Sequence, residues 1–164
     1  MFQPKHLQIA SKTDIYHLLK KEMKSLFSTE RDFIANAANL SALLYHTLPD
    51  LNWAGFYIKR SDELVLGPFQ GKPACVRIPM GQGVCGTVAK RMETVIVSNV
   101  HQFPGHIACD QASNAEIVVP IIQENTLIAV LDLDSPKPDR FDQEDKKGLE
   151  NIITQFVKHT HIQT

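Results

Sequence analysis

The sequence lacks an excess of charge of either sign, and it lacks long apolar runs. Its 17 Lys and Arg residues nearly balance 18 Asp and Glu residues, so the formal net charge is -1. This balance leaves no basic field for nucleic acid or for an anionic membrane surface. No apolar run approaches the length of a transmembrane helix, and residues 1–10 lack the basic-then-apolar pattern of a signal peptide. These absences predict a cytoplasmic protein with no nucleic-acid partner and no membrane partner.

Familiar cofactor and metal motifs are missing as well. The glycine-rich stretch GQGVCG at 81–86 opens no clear βαβ unit, and no acidic residue follows at the distance of a dinucleotide site. There is no Gly-Lys-Ser or Gly-Lys-Thr of a phosphate loop. No Cys-x-x-Cys or His-x-x-x-His spacing of a zinc site occurs. The sequence therefore predicts no cofactor and no metal.

The length predicts one domain spanning residues 1–164. A chain of this size buries roughly 70% of its unfolded surface, so it needs neither disulfides nor a metal to fold. Apolar residues at helical spacing predict a first helix capped by Thr13 and Asp14, and a second from about Arg31 to Thr47 with Ile34 facing inward. Asp142 is predicted to cap a last helix.

Strand composition and turn residues predict a mostly antiparallel sheet between these helices, with a short helix at 83–91 inserted. The predicted strands cover residues 53–59, 63–69, 75–79, 94–98, 116–123 and 127–134. The order favours an α+β fold in which helices pack on one central antiparallel sheet.

The three cysteines are Cys75, Cys85 and Cys109. An odd number cannot form a closed set of structural disulfides, and a reducing compartment keeps thiols free unless they take part in a redox cycle. The simplest interpretation is three small buried hydrophobic residues.

The segment 99–115 shows no periodicity, and loops of this length in a compact domain are often functional. Cys109 lies within it, between His106, which as a cation would lower the pKa of the thiol, and Asp110, which would oppose that effect. Local charge alone does not decide whether Cys109 is a thiolate.

Three acidic residues stand among apolar ones. Asp132 and Asp134 are two apart on a predicted strand, about 7 Å, so they point to the same face, and desolvation should raise the pKa of one of them. Such a pair can bind an ammonium group or supply a proton. The alternative is that Asp134 caps the strand end and Asp132 faces solvent at a sheet edge. Glu116 is either an exposed residue at a strand start or a group aimed into a cleft.

Five stretches, GPFQGKPAC, GQGVCGT, PGHIACD, EIVVPI and LDLDS, occur in this order. Together they resemble the free methionine-(R)-sulfoxide reductases, which are small stand-alone GAF-domain enzymes. The resemblance spans essentially the whole chain. Each stretch alone is weak evidence for this family. The ordered set with its three cysteines is specific evidence, because ordinary GAF domains do not carry it.

The resemblance implies a GAF-like fold with an enclosed small-ligand pocket, and free methionine sulfoxide as the substrate. Cys109 matches the catalytic cysteine that forms a sulfenic acid, and Cys75 matches the cysteine that resolves it as a disulfide. Cys85 matches a third cysteine that lines the site as a reserve partner. Thioredoxin-type reduction completes turnover. A homodimer is possible, and the sequence does not identify an interface for it.

The same resemblance places Trp53, Glu116, Asp132 and Asp134 in the substrate pocket, although the ordinary role of a lone Trp is core packing. The sequence does not divide the binding and protonation tasks among the carboxylates. Ala115 departs from the family, in which a small hydroxyl residue is common there, and this affects only a local hydrogen bond near Glu116. The rival interpretation is a GAF sensor that binds methionine sulfoxide without releasing methionine.

Overall fold

The computed structural model describes residues 11–105 and 110–161. Four helices and six strands follow one another in an α+β order, as predicted, and a 3-10 turn at Val100–Gln102 precedes the fifth strand. No helix within the described ranges combines the length and apolar character that crossing a membrane requires. The elements are α1 (Lys12–Leu26), α2 (Phe33–Thr47), β1 (Trp53–Arg60), β2 (Glu63–Gly71), β3 (Arg77–Pro79), α3 (Gly83–Arg91), β4 (Val95–Val97), β5 (Ala115–Gln123), β6 (Thr126–Ser135) and α4 (Gln143–His159).

The strands form one antiparallel sheet in the order β3-β2-β1-β6-β5-β4. Strands that are adjacent in the sequence pair as two hairpins, β1-β2 and β5-β6. They meet at the centre, where Trp53 lies opposite Asp134 and Gly55 lies opposite Asp132. The alternative that placed Asp132 at a sheet edge is therefore wrong.

The two faces of the sheet are covered differently. Leu131 and Leu133 of β6 join the core beneath α1, α2 and α4. Val130 points the other way, into a second core that includes the apolar side of α3. Since side chains alternate along a strand, Asp132 and Asp134 share the α3 side of the sheet with Val130.

Helix caps follow the sequence in one case and differ in another. Asp142 caps α4, as predicted. The cap of α1 is Ser11, whose Oγ accepts the backbone N–H of Asp14. Thr13 and Asp14 lie inside the first turn, so their prediction as caps is wrong. Several adjacent polar residues can each cap a helix, and their order alone does not select one.

Ile34 is also predicted wrongly, since its side chain is 52% exposed rather than inward. Its neighbour Phe33 takes the inward direction in the first turn of α2. The Phe33 ring packs edge-on against Phe56 and Phe156, at centroid distances of 6.2 and 5.5 Å.

A buried charge cluster joins the first helix to the last. Asp145 of α4 is almost fully buried and accepts hydrogen bonds from the Tyr16 hydroxyl at 2.8 Å and from Lys12 Nζ at 2.6 Å. The Arg140 guanidinium lies 3.2 Å from the same carboxylate. Two cations and a hydroxyl thus satisfy one buried charge, and the two ends of the domain are held together.

We expect Gly55→Ala to displace Trp53 and destabilise the protein. A Cβ on residue 55 would overlap Phe69 and lie 2.6 Å from the Trp53 ring. Overpacking of this kind costs about 1–3 kcal/mol of unfolding free energy. The control is Gly67→Ala, whose Cβ would approach no atom closer than 3.1 Å. Urea denaturation followed by the fluorescence of the single Trp measures both variants. Equal stability of the two would contradict the prediction.

Candidate functional site

A pocket opens on the α3 side of the sheet, where β1, β5 and β6 lie side by side. It encloses about 530 Å³ when the space is counted out to its opening, open solvent included. The structure brings together in its walls five of the residues singled out from the sequence, which are Trp53, Cys85, Glu116, Asp132 and Asp134.

The three acidic side chains occupy one face of the hairpin β5-β6. Glu116 lies opposite Asp134, and Asp132 lies opposite Val118. Glu116 and Asp132 are each only 6% exposed, and Asp134 is half-buried. The alternative of an exposed Glu116 is therefore wrong. Ala115 is buried in the core on the opposite face, so the departure from the family pattern removes no group from the pocket.

Trp53 supplies the apolar wall of the pocket. Its ring stacks on Phe69 at a centroid distance of 5.3 Å and on Tyr57 at 5.8 Å. Its indole N–H donates to the carbonyl oxygen of Lys72 over 3.2 Å, so both the apolar body and the polar tip are satisfied. Trp53 therefore packs in the core and also presents an aromatic surface to any ligand.

Cys85 projects from α3 into the pocket and lies close to the carboxyl groups of Glu116 and Asp132. Its Sγ donates to Glu116 Oε1 over 4.0 Å, and it also lies near Asp132. The close seating of α3 needs Gly86, because a Cβ there would lie 2.5 Å from the carbonyl oxygen of Pro79. One sulfur and two carboxylate groups thus converge from three separate elements.

Burial raises the pKa of the acidic groups. The pKa of Asp132 rises to about 7 through desolvation, while hydrogen bonds from Cys85 and Glu116 limit the rise. Desolvation, together with repulsion by Asp132 and Asp134, holds the pKa of Glu116 well above its ordinary range. The pKa of Asp134 is raised for the same two reasons, burial first and the charge of Asp132 second. Among the described residues that line the pocket, Lys72 is the sole cation.

The same environment suppresses the Cys85 thiolate. Burial raises the pKa of this thiol, and the charges of Asp132 and Glu116 raise it further. The thiolate is the nucleophilic form of cysteine, so Cys85 is a poor nucleophile at neutral pH.

Cys75 lies half-buried just before β3, beside the pocket. It is disulfide-bonded, whereas Cys85 is a free thiol, so Cys85 is not the partner of Cys75 in this structure. The carbonyl oxygen of Cys75 accepts a hydrogen bond from the hydroxyl of Tyr57, which lines the pocket, over 3.0 Å. Cys109 and His106 lie outside the described residues.

Sequence reasoning missed the residues at the rim of the pocket. Asp110 accepts from Lys72 Nζ over 3.4 Å and from Asn52 Nδ2 over 3.2 Å. Asn52 Nδ2 also donates to Ser113 Oγ over 3.0 Å. Hydrogen bonds from the Ala112 backbone N–H, Asn52 and Lys72 keep the pKa of Asp110 below its usual value. These contacts join three segments that are distant in sequence, so local sequence patterns do not predict them.

We expect the stability of the protein to fall as the pH rises, and Asp132→Asn to reduce this fall. The folded pKa of Asp132, about 7, is raised above the value of an exposed Asp, which is about 3.9. Its contribution to stability is therefore present below the unfolded pKa and is lost as the pH rises through the folded one. Between about pH 4 and pH 8, the variant should lose less unfolding free energy than the parent, by at least about 1.4 kcal/mol, the equivalent of one pKa unit.

Urea denaturation at both pH values, with a metal chelator present, measures this difference. Asp110→Asn is the matched control, since the lowered pKa of Asp110 has the opposite sign and stabilises at high pH. An Asp132→Asn variant with the parent's full pH dependence would overturn the assignment.

Comparison with known proteins places this pocket in a family. The GAF domain model matches residues 23–159. The chain is 52% identical to the free methionine-R-sulfoxide reductase of Escherichia coli over 148 residues, 90% of each chain. It superposes on the reduced form of fRMsr of Staphylococcus aureus with a TM-score of 0.86 and 48% identity, covering 97% of this chain and 99% of that one.

A second similar structure is the free methionine-R-sulfoxide reductase of Neisseria meningitidis in complex with its substrate. It matches with a TM-score of 0.91 and 39% identity over 96% of this chain and 95% of that one. These matches span the pocket and both helical ends of the domain. The chain therefore belongs to the free methionine-R-sulfoxide reductase family of GAF-domain proteins.

Proposed function

We propose that this protein reduces free L-methionine-(R)-sulfoxide to L-methionine in the cytoplasm, without a cofactor, and that thioredoxin regenerates it. The observation that carries the proposal is the pocket itself. It combines an aromatic wall, Trp53, with three carboxyl groups at its base. The sole cation among the described lining residues is Lys72, which lies at the rim. Membership of the reductase family supports the same substrate.

The acidic base favours a free amino acid over methionine within a protein. A free amino acid carries an ammonium group, which a peptide-bound methionine lacks. Glu116, Asp132 and Asp134 offer carboxyl oxygens to that group, and leaving such a site without its partner is costly. Trp53 provides the apolar surface for the side chain of the substrate.

The raised pKa values suit the proton transfer that the reaction needs. The thiolate of Cys109 attacks the sulfoxide sulfur, and the sulfoxide oxygen takes a proton from the acidic base. A group with a pKa near the working pH is an efficient proton donor, and the pKa of Asp132 is about 7. The oxygen leaves on the cysteine sulfur, so methionine and the sulfenic acid of Cys109 form together.

Cys75 then resolves the intermediate. Its thiol condenses with the sulfenic acid of Cys109, forming a disulfide and releasing water. Two observations support this role: Cys75 takes part in a disulfide, and the Cys85 thiol stays free. The raised pKa of Cys85 favours a reserve role rather than the first attack. A thioredoxin dithiol reduces the disulfide by thiol–disulfide exchange and becomes oxidised in turn.

Turnover tests the function directly. Free methionine (R)-sulfoxide and (S)-sulfoxide are supplied separately with thioredoxin, its reductase and NADPH, and NADPH oxidation is followed together with methionine release. We expect turnover of the (R) form and little turnover of the (S) form. Binding of the (R) form without methionine release would instead identify a sensor.

We expect Cys109→Ser to abolish methionine release even in a single turnover, because the nucleophile is lost. Cys75→Ser should retain the first turnover and slow the following ones, because only resolution is lost. Cys85→Ser is the matched thiol control and should still form the disulfide. Quenched-flow measurement of methionine and peptide mapping of the oxidised protein check these outcomes. One equivalent of methionine from Cys109→Ser, or a sole Cys75–Cys85 bridge, would refute the assignment.

We expect Asp134→Asn to lower kcat/KM by about 30- to 150-fold. This loss corresponds to about 2–3 kcal/mol, the value of a charged hydrogen bond. Its thermal stability should be unchanged or higher, because one of three crowded carboxyl groups is removed. The parent should also discriminate strongly against N-acetylmethionine sulfoxide, which lacks the ammonium group.

The control is Asp139→Asn, which changes an exposed carboxylate outside the pocket. Steady-state kinetics and thermal melts of both variants separate the effect of charge from an effect on folding. Equal activity of the parent on the free and acetylated substrates would contradict a role of these carboxyl groups in substrate recognition. Unfolding of the Asp134→Asn variant would likewise indicate a structural role.

A further inference from the structure

The deepest part of the pocket holds a mixed set of sulfur and oxygen donors. A ligand atom from each of Cys85, Glu116 and Asp132 lies within 4.8 Å of the other two, and all three residues are buried. In a tetrahedral zinc site the metal lies about 2.3 Å from sulfur and about 2.0–2.2 Å from carboxylate oxygen, which puts neighbouring ligands roughly 3.3–3.8 Å apart. The ligand atoms therefore need to approach one another by at most about 1–1.5 Å to share one ion.

One oxygen of the Asp132 carboxyl group lacks a partner. Asp132 is 6% exposed, and its Oδ1 is buried with no hydrogen bond from any described residue. An unpaired buried polar atom costs free energy, and native proteins rarely leave one without a reason. Asp132 lines the pocket, so a ligand in the pocket can reach this oxygen.

The donor types select among metal ions. Magnesium and calcium bind oxygen ligands at six or more positions, whereas a thiolate with two carboxylates suits zinc. With three protein ligands, a tetrahedral zinc ion would keep its fourth position for water. We propose that Cys85, Glu116 and Asp132 form a zinc site at the base of the pocket.

The charge around the site agrees with a divalent cation. Three deprotonated ligands carry three negative charges, and the sole cationic side chain among the described lining residues, Lys72, bonds Asp110 at the rim. Zinc binding displaces the protons from these three ligands, and the ion then neutralises their negative charge.

The absence of a local zinc motif in the sequence does not argue against this site. Cys85 comes from α3, Glu116 from β5 and Asp132 from β6. A spacing rule detects ligands that share one turn or one hairpin, whereas these three meet only after α3 has packed on the sheet.

A bound zinc ion occupies the carboxyl groups that the substrate would use. This consequence rests on the proposed function, whereas zinc binding itself does not. Zinc and methionine sulfoxide should therefore compete, so that free zinc inhibits the enzyme by excluding its substrate and not by blocking Cys109 or Cys75.

The test uses the full chain carrying Cys75→Ser and Cys109→Ser, in which Cys85 is the sole thiol. Calorimetric titration with zinc chloride should give one ion per chain. Cobalt(II), used as a spectroscopic substitute, should show a thiolate-to-cobalt charge-transfer band and the visible spectrum of a tetrahedral ion.

Ligand variants on this background locate the site. Cys85→Ser should remove the charge-transfer band and weaken zinc binding by about 100-fold or more, since even loss of an outer-shell partner costs about 10- to 100-fold. Asp132→Asn, which keeps the side-chain shape, should weaken binding similarly. Asp139→Asn, which changes an exposed carboxylate outside the pocket, should keep the parent's affinity. Circular dichroism verifies that each variant is folded.

Zinc bound equally well by parent, Cys85→Ser and Asp132→Asn would overturn the site, as would a cobalt spectrum without the thiolate band. Methionine sulfoxide titrated into the zinc-loaded double variant should raise the apparent Kd for zinc, and no change would overturn the competition. Neither measurement uses turnover, so failure of the zinc site and failure of the proposed function are distinguishable.

Discussion

The site depends on desolvation of acid groups that have no matching positive charge. Glu116 and Asp132 are buried beside the half-buried Asp134, and the Lys72 ammonium lies at the rim rather than among them. Water cannot stabilise three carboxylates there, so protons remain on the cluster at a pH where exposed carboxyl groups have lost theirs. The neutral thiol of Cys85 is a further consequence of the same environment.

The scaffold must hold these groups against their own repulsion. It does so by placing them on the central hairpins of the sheet, with the large core beneath α1, α2 and α4 on the other face. The strand register fixes which side chains meet, because Gly55 and Trp53 lie opposite Asp132 and Asp134. The free energy that the acidic base costs is offset by apolar burial elsewhere, as is common where a site binds or reacts.

Much of this arrangement can be predicted from the sequence, because strand alternation is a local rule. The spacing of Asp132 and Asp134 predicts that they share one face of β6. The apolar pattern after Glu116 predicts the neighbouring strand, β5. The convergence of Cys85 with these carboxylates is not local, since it requires α3 to lie across β5 and β6. The rim contacts of Asn52 and Lys72 with Asp110 are equally non-local and were missed for that reason. The wrong predictions for Thr13, Asp14 and Ile34 concern the first turns of two helices, where several neighbouring residues compete for one geometry.

The cluster around Asp145 has a consequence for how the chain acquires its structure during synthesis. A ribosome releases α1 before α4, so Lys12 and Tyr16 cannot bind the Asp145 carboxylate until α4 emerges. The centre of the sheet also joins segments that are far apart in the chain, because Trp53 of β1 lies opposite Asp134 of β6. Contacts between such distant segments slow folding, and an incomplete chain exposes unpaired strand edges. The nascent chain therefore carries its cysteines before it has a pocket, and the environment that keeps Cys85 protonated arises only after β6 has emerged.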